Sequence, residues 1–256
     1  MTTGSIIYLE DVTVDYDGFK ALRDLNFFMD YAELRVVIGP NGAGKTTLLD
    51  VISGKVKPVT GRVVYGRDRD LRGLSEYEIA ALGVGRKFQT PTIFPSLTVY
   101  DNLELSIRRP SKGVFATLFQ EAETSAEDKV FATLDRIGLA DRHADRAGAL
   151  SHGEKQWLEL GMVMVQECDL LLVDEPVAGM TDEETERTAE LLQAIARDRA
   201  VLVIEHDMAF VRSIAHTVTV LHEGTVLCEG PIEQIQHDPR VMEIYLGRQR
   251  AGDAAH

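Results

Sequence analysis

A glycine-rich segment near residue 40 has the residue types and the spacing that bind the phosphates of a nucleotide. Glycines let backbone N–H groups wrap around phosphate oxygens, a lysine brings positive charge to the β- and γ-phosphates, and a hydroxyl reaches Mg²⁺. The candidate nucleotide-binding residues here are Gly39, Pro40, Asn41, Gly42, Ala43, Gly44, Lys45, Thr46 and Thr47. In this segment we expect Lys45 to contact the phosphates and Thr46 the metal. Alone, the segment predicts only a nucleotide-binding protein.

Two adjacent carboxylates, Asp174 and Glu175, follow the four apolar residues 170–173. That run predicts a buried strand, so Asp174 would be delivered at the strand's carboxyl end, where it can hold Mg²⁺ directly or through water. A carboxylate at Glu175 could accept a proton from an attacking water as a general base. A solvated acidic turn before Pro176 is the alternative interpretation.

His206 and Gln89 are further candidates whose meaning depends on their position. His206 follows a predicted strand over 201–204, which would bring its imidazole to the same edge of the sheet. A single histidine is more often structural than catalytic, because either ring nitrogen can be satisfied locally. The amide of Gln89 can bind a metal-bound water and report its presence through a moving loop. An isolated glutamine would carry no such meaning.

The hydropathy pattern predicts an α/β fold that holds these residues. The nearly continuous apolar runs at 170–173, 201–204 and 218–221 are typical of strands covered on both faces, and the run 34–38 leads into the glycine-rich segment. A strand, a glycine-rich turn and a helix that begins near Lys45 form the expected phosphate-binding unit. Before it, short strands at 6–9, 12–14 and 26–29, with a turn at Asp17-Gly18, predict an antiparallel β edge.

Helical patterns at 98–108 and 127–137 replace the β-rich pattern between the two halves of the core. We therefore predict four segments. The core with its antiparallel edge occupies 1–89, a helical subdomain 90–150, the return to the core 151–247 and a flexible tail 248–256. Trp157 lies among apolar residues of a helix in the third segment, and we expect it to be packed in the core.

Composition restricts the function. The chain has 256 residues with 45% hydrophobic and 27% charged residues, which is ordinary for a globular protein, and its net charge is −14. This charge argues against a nucleic-acid partner, since backbone binding needs clustered Lys and Arg. The longest apolar runs fall far short of a membrane span, and the polar start predicts a soluble, unprocessed chain. Cys168 and Cys228 are expected to be buried thiols in a reducing cytosol.

A third motif, the segment Leu150-Ser151-His152-Gly153-Glu154, closely matches a signature that distinguishes one family among phosphate-loop proteins. Together with the first two motifs, it makes the chain resemble the ATP-binding-cassette (ABC) ATPases. The resemblance implies a P-loop NTPase core with a helical subdomain, ATP and Mg²⁺ as cofactors, and ATP hydrolysis. It also implies that two cassettes pack head to tail, so that Ser151 and Gly153 of one chain meet the γ-phosphate bound by the other.

The resemblance assigns roles to the remaining candidates. It makes Glu175 the catalytic base, gives His206 a γ-phosphate contact and places Gln89, as a catalytic and metal-associated residue, in a loop between core and helical subdomain. Tyr16 would stack on adenine, with core packing as the alternative for Tyr16 and for Phe19. Segment 178–181 occupies the position of a loop at the dimer interface, followed by a helix capped at Thr181.

Two residues depart from the usual signature. His152 and Glu154 stand where glycine and glutamine are common in the family, so the sequence places a titratable group and an anion beside the triphosphate. We expect Glu154 to oppose closure of the dimer by repelling phosphate.

Within the family, the chain resembles importer ATPases of the branched-chain amino acid and urea type. The amino-acid sequence of three segments, 85–91, 151–158 and 176–185, looks like that of the D subunit of urea importers. That resemblance implies a peripheral subunit on the cytoplasmic face of the cell membrane. Its partners would be two membrane permease subunits, a second and different cassette, and indirectly an extracytoplasmic solute-binding protein. We expect Thr92, Ile93 and Phe94 to contact a permease, with ordinary loop packing as the alternative.

Other functions remain as alternatives. A branched-chain amino acid importer is the nearest one. A soluble ABC protein of translation or DNA repair is less favoured, because such proteins usually carry two cassettes and basic surfaces. A phosphotransferase would leave the signature segment without explanation.

Overall fold

The computed structural model describes residues 4–87, 93–107 and 126–244, which form two β-sheets and the helices around them. One sheet has four strands in the order β2-β1-β4-β5, and its strand pairs are antiparallel. Its strands are β1 (Ser5–Tyr16), β2 (Phe19–Asp30), β4 (Thr60–Tyr65) and β5 (Arg69–Asp70). This sheet is the antiparallel edge that the sequence predicts.

The predicted strands at 6–9 and 12–14 are one continuous strand, β1, and the prediction of two strands is wrong. The pairing of β1 with β2 shifts register between Leu9 and Val12, and Asp11 there has a φ of 50°. A bulge of this kind bends a strand without ending it. The predicted turn is correct: Asp17 and Gly18 have φ values of 52° and 94°, as a tight hairpin between twisted strands requires.

The second sheet has six strands in the order β10-β9-β3-β8-β7-β6, parallel except for the hairpin of β9 and β10. Its strands are β3 (Leu34–Ile38), β6 (Val84–Lys87), β7 (Leu170–Asp174), β8 (Ala200–Ile204), β9 (Thr217–His222) and β10 (Thr225–Gly230). Four of them, β3, β7, β8 and β9, are the predicted apolar runs. The sequence does not reveal β6, which has the composition Val-Gly-Arg-Lys, or β10, which is largely half-exposed.

Eight α-helices lie in the described ranges, between the strands and after the last of them. They are α1 (Lys45–Ile52), α2 (Glu76–Ala81), α3 (Val99–Ser106), α4 (Ala126–Ile137), α5 (His152–Met164), α6 (Asp182–Ala196), α7 (Met208–Ile214) and α8 (Ile232–Ile235). Both predicted helical patterns of the subdomain are helices, α3 and α4. They pack against each other and against α5. The predicted segment boundaries stay a prediction, and the tail 248–256 lies outside the described residues. No helix of the described ranges is long and apolar enough to cross a membrane.

The six-stranded sheet is covered on both faces, as its apolar runs predict. Along β3, Val36 and Ile38 join a hydrophobic cluster with helices α3 to α7, whereas Val37 joins a second cluster with α1 and the antiparallel sheet. This alternation follows from the two-residue period of a strand. Buried Trp157 belongs to the first cluster and donates from Nε1 to Thr188 Oγ1 at 2.9 Å. Core packing, with the indole N–H satisfied, is therefore confirmed for Trp157.

The two cysteines are free thiols. Cys168 is buried as expected, and burial raises the pKa of its thiol. Cys228 is only half-buried, so the expectation of two buried thiols is wrong for this residue. It lies on β10 at the margin of the sheet, where only part of the side chain is covered.

Candidate active site

Parallel pairing brings the carboxyl ends of three strands to one edge of the sheet. Val37 of β3 pairs with Ile204 of β8, and Ile204 pairs with Asp174 of β7. The glycine-rich loop follows β3, Glu175 follows β7, and His206 comes two residues after β8. The fold therefore assembles at one sheet edge three motifs that are far apart in sequence, which is where ligands bind in such sheets.

The glycine-rich loop needs glycine for steric reasons. Gly39 has a φ of 151°, and a Cβ there would collide with the carbonyl oxygen of Leu221. Gly44 has a φ of 100°, and a Cβ would lie 2.6 Å from the carbonyl oxygen of Ala21. Gly44 is also the N-cap of α1 and offers no side-chain cap. A helix N-terminus without a side-chain cap favours an anion.

Lys45 lies across this loop. Its Nζ donates to the carbonyl oxygens of Gly39 at 2.7 Å and of Pro40 at 3.1 Å. The loop is supported from behind by buried Ala43, whose carbonyl oxygen accepts from Gly224 N–H at 3.1 Å. The ammonium is thus held against the loop that the sequence predicts to bind phosphate.

The remaining loop residues are accessible to a ligand. Asn41, Gly42 and Thr46 are exposed, while Pro40 and Thr47 are half-buried. The hydroxyls of Thr46 and Thr47 belong to the first turn of α1, directly after Lys45.

Asp174 is a buried carboxylate with an unsatisfied oxygen. The residue is 2% exposed, and Oδ1 has no hydrogen-bond partner among the described residues. Burial, followed by the charge of Glu175, raises the pKa of Asp174, while Arg86 and Lys45 act in the opposite direction. This burial contradicts the alternative of a solvated acidic turn. An orphaned carboxylate oxygen is a suitable ligand for a hard divalent cation, so Asp174 fits Mg²⁺.

Glu175 is turned out of the sheet by its backbone. Its φ is 47°, in the left-handed region, and its N–H donates to the carbonyl oxygen of Ile204 at 3.0 Å. The side chain is 34% exposed, and Oε1 lies 3.7 Å from Nδ1 of His206. The carboxylate is therefore beside the imidazole and open to water, as a general base requires.

A second carboxylate fixes the backbone that carries His206. Glu205 is 1% exposed, and its Oε2 accepts from His206 N–H at 2.6 Å and from Asp207 N–H at 3.1 Å. The imidazole itself is 68% exposed. Sequence reasoning did not give Glu205 a role, because its burial depends on tertiary structure.

Tyr16 is available for a ligand. It is the last residue of β1 and is 45% exposed, and its cross-strand partner Phe19 is 59% exposed. Core packing, the alternative for both rings, is therefore wrong. Both rings are exposed to solvent, and they lie at the end of the hairpin beside the turn.

Ser151 and Gly153 lie at the start of α5. Ser151 is the N-cap, and its hydroxyl oxygen accepts from Glu154 N–H at 3.1 Å. The same hydroxyl donates to Glu184 Oε1 of α6 at 3.1 Å. No hydrogen bond or ion pair in the described part of the chain joins Ser151 or Gly153 to the glycine-rich loop.

Glu154 is not an unpaired charge in the structure, and its predicted effect on closure of the dimer stays a prediction. Both carboxylate oxygens accept from Arg142 Nη1, at 2.7 and 2.8 Å, and Oε2 also accepts from Ser151 N–H at 2.7 Å. Burial alone would raise the pKa of Glu154, but the hydrogen bonds from Ser151 and Arg142 outweigh it and hold the pKa below its ordinary value. The other departure, His152, bonds through Nε2 to the carbonyl oxygen of Ala178 at 3.1 Å.

Gln89 and Thr92 lie outside the described residues, so their roles stay predictions. The strand that leads toward Gln89 ends at Lys87, which is fully buried and pairs with Glu159 of α5 at 3.5 Å. Sequence reasoning correctly predicted the capping box of Thr181 and Glu184, but it missed Arg142 and the bond between Glu184 and Ser151. The Ser-x-x-Glu and Thr-x-x-Glu spacings of 151–154 and 181–184 signal the two caps, but no local pattern signals that Glu184 reaches Ser151.

The fold and this site define a P-loop ATPase, and comparison with known proteins gives the family. The family model described as ABC transporter matches residues 22–178, and the model described as branched-chain amino acid ATP-binding cassette transporter matches 225–251. The chain therefore belongs to the ABC transporter family. It is the ATP-binding subunit of a transporter, similar to those of branched-chain amino acid transporters, and an ATP hydrolase coupled to transport.

Relatives and solved structures agree with this assignment over nearly the whole chain. The high-affinity branched-chain amino acid transport ATP-binding protein LivG of Escherichia coli K12 is 35% identical over 94% of this chain and 98% of its own length. BraF of Pseudomonas aeruginosa, which has the same description, is 32% identical with the same coverage. Crystal structures of a nucleotide-free ABC transporter cassette and of an ADP-bound cassette conformation are 27% and 28% identical. Both superpose with a TM-score of 0.82, covering 94% and 95% of this chain and 99% of each structure.

Proposed function

We propose that this chain powers the uptake of branched-chain amino acids by hydrolysing ATP on a membrane importer. The observation that carries the proposal is the similarity to LivG and BraF over 94% of the chain, together with the match of 225–251 to the branched-chain amino acid cassette model. Urea, the solute predicted first, is supported only by the sequence resemblance of three segments, 85–91, 151–158 and 176–185. A cassette does not touch the transported solute, so nothing in the active site favours urea over an amino acid.

For catalysis, the proposal assigns ATP to the glycine-rich loop and adenine to Tyr16. Thr46 and Asp174 would hold Mg²⁺, with Gln89 on its water shell, and the bound ion would neutralise charge on the β- and γ-phosphate oxygens. Glu175 accepts a proton from the attacking water, and His206, 3.7 Å from Glu175, contacts the γ-phosphate.

We assign Ser151 and Gly153 to a nucleotide bound by a second cassette. In this chain the Ser151 hydroxyl already holds a carboxylate, that of Glu184. That contact supports an anion-binding role for the helix start, and the absence of a bond to the chain's own loop supports a role in another subunit's site. The second cassette is proposed to be a different chain.

The proposed contact with the permeases is the segment that follows Gln89. Phe94 is 50% exposed, while its backbone is anchored by Asn102, which is 0% exposed. Asn102 accepts from Phe94 N–H at 2.7 Å and donates to its carbonyl oxygen at 3.1 Å. A rigid backbone that presents an aromatic ring is suited to a protein contact. Half-buried Ile93 would join it.

The partners of the proposed complex follow from the importer assignment. They are two membrane permease subunits, the second cassette, and indirectly an extracytoplasmic solute-binding protein, with this chain on the cytoplasmic face of the membrane. A polypeptide that spans a membrane must satisfy the hydrogen bonds of its own backbone within the lipid. A permease does this with helices.

Uptake by cells tests the solute. We expect deletion of the gene to abolish high-affinity uptake of labelled leucine, isoleucine and valine, and to leave urea uptake unchanged. A plasmid copy of the unchanged chain should restore uptake, and a copy with Lys45→Ala should not. Loss of urea uptake with normal leucine uptake would reject the branched-chain amino acid proposal and favour urea.

A further inference from the structure

The start of α5 contains an acidic residue where the proposed function requires an anion to bind. Glu154 is in the first turn, and its side chain is 19% exposed. An unpaired carboxylate there would repel the phosphate of an incoming nucleotide. Nevertheless, a second carboxylate, that of Glu184, is held at the same helix start, 3.1 Å from the hydroxyl oxygen of Ser151. The site therefore accepts an anion in spite of Glu154.

Arg142 accounts for this tolerance. It ends a short 3-10 turn, Ala140–Arg142, that lies outside α5, and its guanidinium reaches Glu154 from there. The Nη1 atom contacts both Glu154 oxygens at 2.7 and 2.8 Å, while Nε donates to Asp145 Oδ2 at 2.7 Å. Because Glu154 Oε2 also accepts from Ser151 N–H, the carboxylate is folded back into the capping box and its charge is paired.

We propose that Arg142 is a positioning residue of the composite ATP site, which acts through Glu154. It neutralises and orients the Glu154 carboxylate, so that the start of α5 presents the Ser151 hydroxyl and the Gly153 N–H, and not an unpaired charge, to a phosphate. The inference rests on the proposed function, because it requires the start of α5 to meet the nucleotide held by the other cassette.

The chemistry predicts which second change restores activity. A methionine at position 142 keeps the length of the side chain and removes its charge, so Glu154 would keep its cap and lose its counter-ion. A glutamine at position 154 can make the same capping box without a charge. Glu154→Gln should therefore rescue Arg142→Met, whereas it would not rescue a variant whose only defect is the packing of the 3-10 turn.

The test uses the tagged full-length chain, purified from membranes with its partners, and compares four variants with the unchanged chain. They are Arg142→Met, Glu154→Gln, the two changes combined, and Arg146→Met as a charge-matched control on an exposed arginine of the same segment. We expect Arg142→Met to lower the rate of ATP hydrolysis at least about threefold, less so at high salt. The other three should stay within about twofold of the unchanged chain.

A second readout separates positioning from damage to the nucleotide site. ATP affinity of the isolated chain, measured by calorimetry, depends on its own glycine-rich loop, and we expect it to be unchanged in all four variants. Full hydrolysis by Arg142→Met, or an equal loss in the combined variant, would overturn the inference and leave the proposed function standing. Absence of ATP hydrolysis by the unchanged complex would overturn the proposed function, and the inference with it.

Discussion

Glu175 combines a strained backbone with an accessible carboxylate. A non-glycine residue in the left-handed region costs about 1 kcal/mol or more, and it persists only where the surrounding structure enforces it. Here the hydrogen bond from Glu175 N–H to Ile204 enforces the turn, which directs the carboxylate toward His206. The backbone of this residue therefore serves the position of its side chain.

We predict that Glu175→Gln keeps ATP binding and lowers hydrolysis at least about 100-fold, because the amide preserves the shape and cannot accept the proton. Calorimetry with ATP and a phosphate-release assay measure the two effects. Glu190→Gln, on an exposed position of α6, is the control and should behave like the unchanged chain. A Glu175→Gln variant that hydrolyses ATP at the normal rate would exclude Glu175 as the base.

We predict that the ionised carboxylate of Asp174 destabilises the fold, although the proposed Mg²⁺ site needs it. Its pKa is raised by burial and by Glu175, so the folded chain disfavours the ionised form. The ionised carboxylate therefore destabilises the fold at pH values above its raised pKa, and this penalty disappears below the ordinary pKa of aspartate. Without Mg²⁺ or nucleotide, Asp174→Asn should raise the free energy of unfolding by about 1 kcal/mol at neutral pH.

The same substitution should abolish Mg²⁺-dependent hydrolysis, because an amide is a poor substitute for the carboxylate ligand. Urea denaturation between neutral and acidic pH measures the stability, with Asp68→Asn, at an exposed position, as the control. If Asp174→Asn were less stable than the unchanged chain at neutral pH, the account of this buried charge would be incorrect.

The sequence predicts which residues could perform local chemistry, because the glycine-rich segment and the Asp174-Glu175 pair have mechanisms tied to fixed spacing. The ion pairs and hydrogen bonds of the neighbouring charged side chains could not be predicted. Arg142 and Glu154 are separated by 12 positions and Ser151 and Glu184 by 33, so those contacts exist only after the helices pack.

At the scale of elements, α5 and α6 begin side by side, and the same kind of N-terminal cap stabilises both helices. Ser151 with Glu154, and Thr181 with Glu184, are both capping boxes. The second box also reaches the first helix, because Glu184 Oε1 accepts from Ser151 Oγ at 3.1 Å. One carboxylate therefore joins the ends of two helices, and the loop before α6 is attached to the signature.

We predict that Glu184→Ala lowers the free energy of unfolding by about 1 kcal/mol, since it removes the bond that the Glu184 carboxylate accepts from Thr181 N–H in the capping box of α6, and its bond with Ser151. Glu184→Gln should lose less, because glutamine can complete a capping box. Thermal or urea denaturation measures both, with Glu190→Ala on the same helix as the control. Equal losses for the alanine and glutamine variants would mean that the charge of Glu184, and not its cap, supplies the stability.

The sequence predicts a strand or helix well where a single local pattern identifies it. Continuous apolar runs give β3, β7, β8 and β9, and the Thr-x-x-Glu spacing gives the start of α6. It fails for β6, which contains two basic residues and a glycine and is recognisable as a strand only through its pairing with β7. It also divides β1 in two, because the polar residues at the bulge resemble a turn.

At the scale of the whole molecule, the importer proposal requires that ATP hydrolysis be transmitted to a permease. Phe94 is an exposed aromatic residue between β6 and α3, and Asn102 fixes its backbone. We predict that Phe94→Ala lowers solute uptake at least about fivefold and weakens copurification with the permeases, because interface aromatics carry much of the binding energy.

ATP binding by the isolated chain should not change in Phe94→Ala, since the glycine-rich loop is untouched. Tyr77→Ala is the control, because Tyr77 is 83% exposed and lies on α2. Normal uptake and normal copurification with Phe94→Ala would remove this segment from the permease contact and favour ordinary loop packing.

The most direct test of the central claim is transport by the purified complex in proteoliposomes with ATP and Mg²⁺ trapped on the side of this chain. Uptake of labelled leucine and of labelled urea is measured with the unchanged chain and with Glu175→Gln. The account predicts ATP-dependent accumulation of leucine that disappears in the variant, and no accumulation of urea. Accumulation of urea alone, or leucine accumulation that persists with Glu175→Gln, would contradict it.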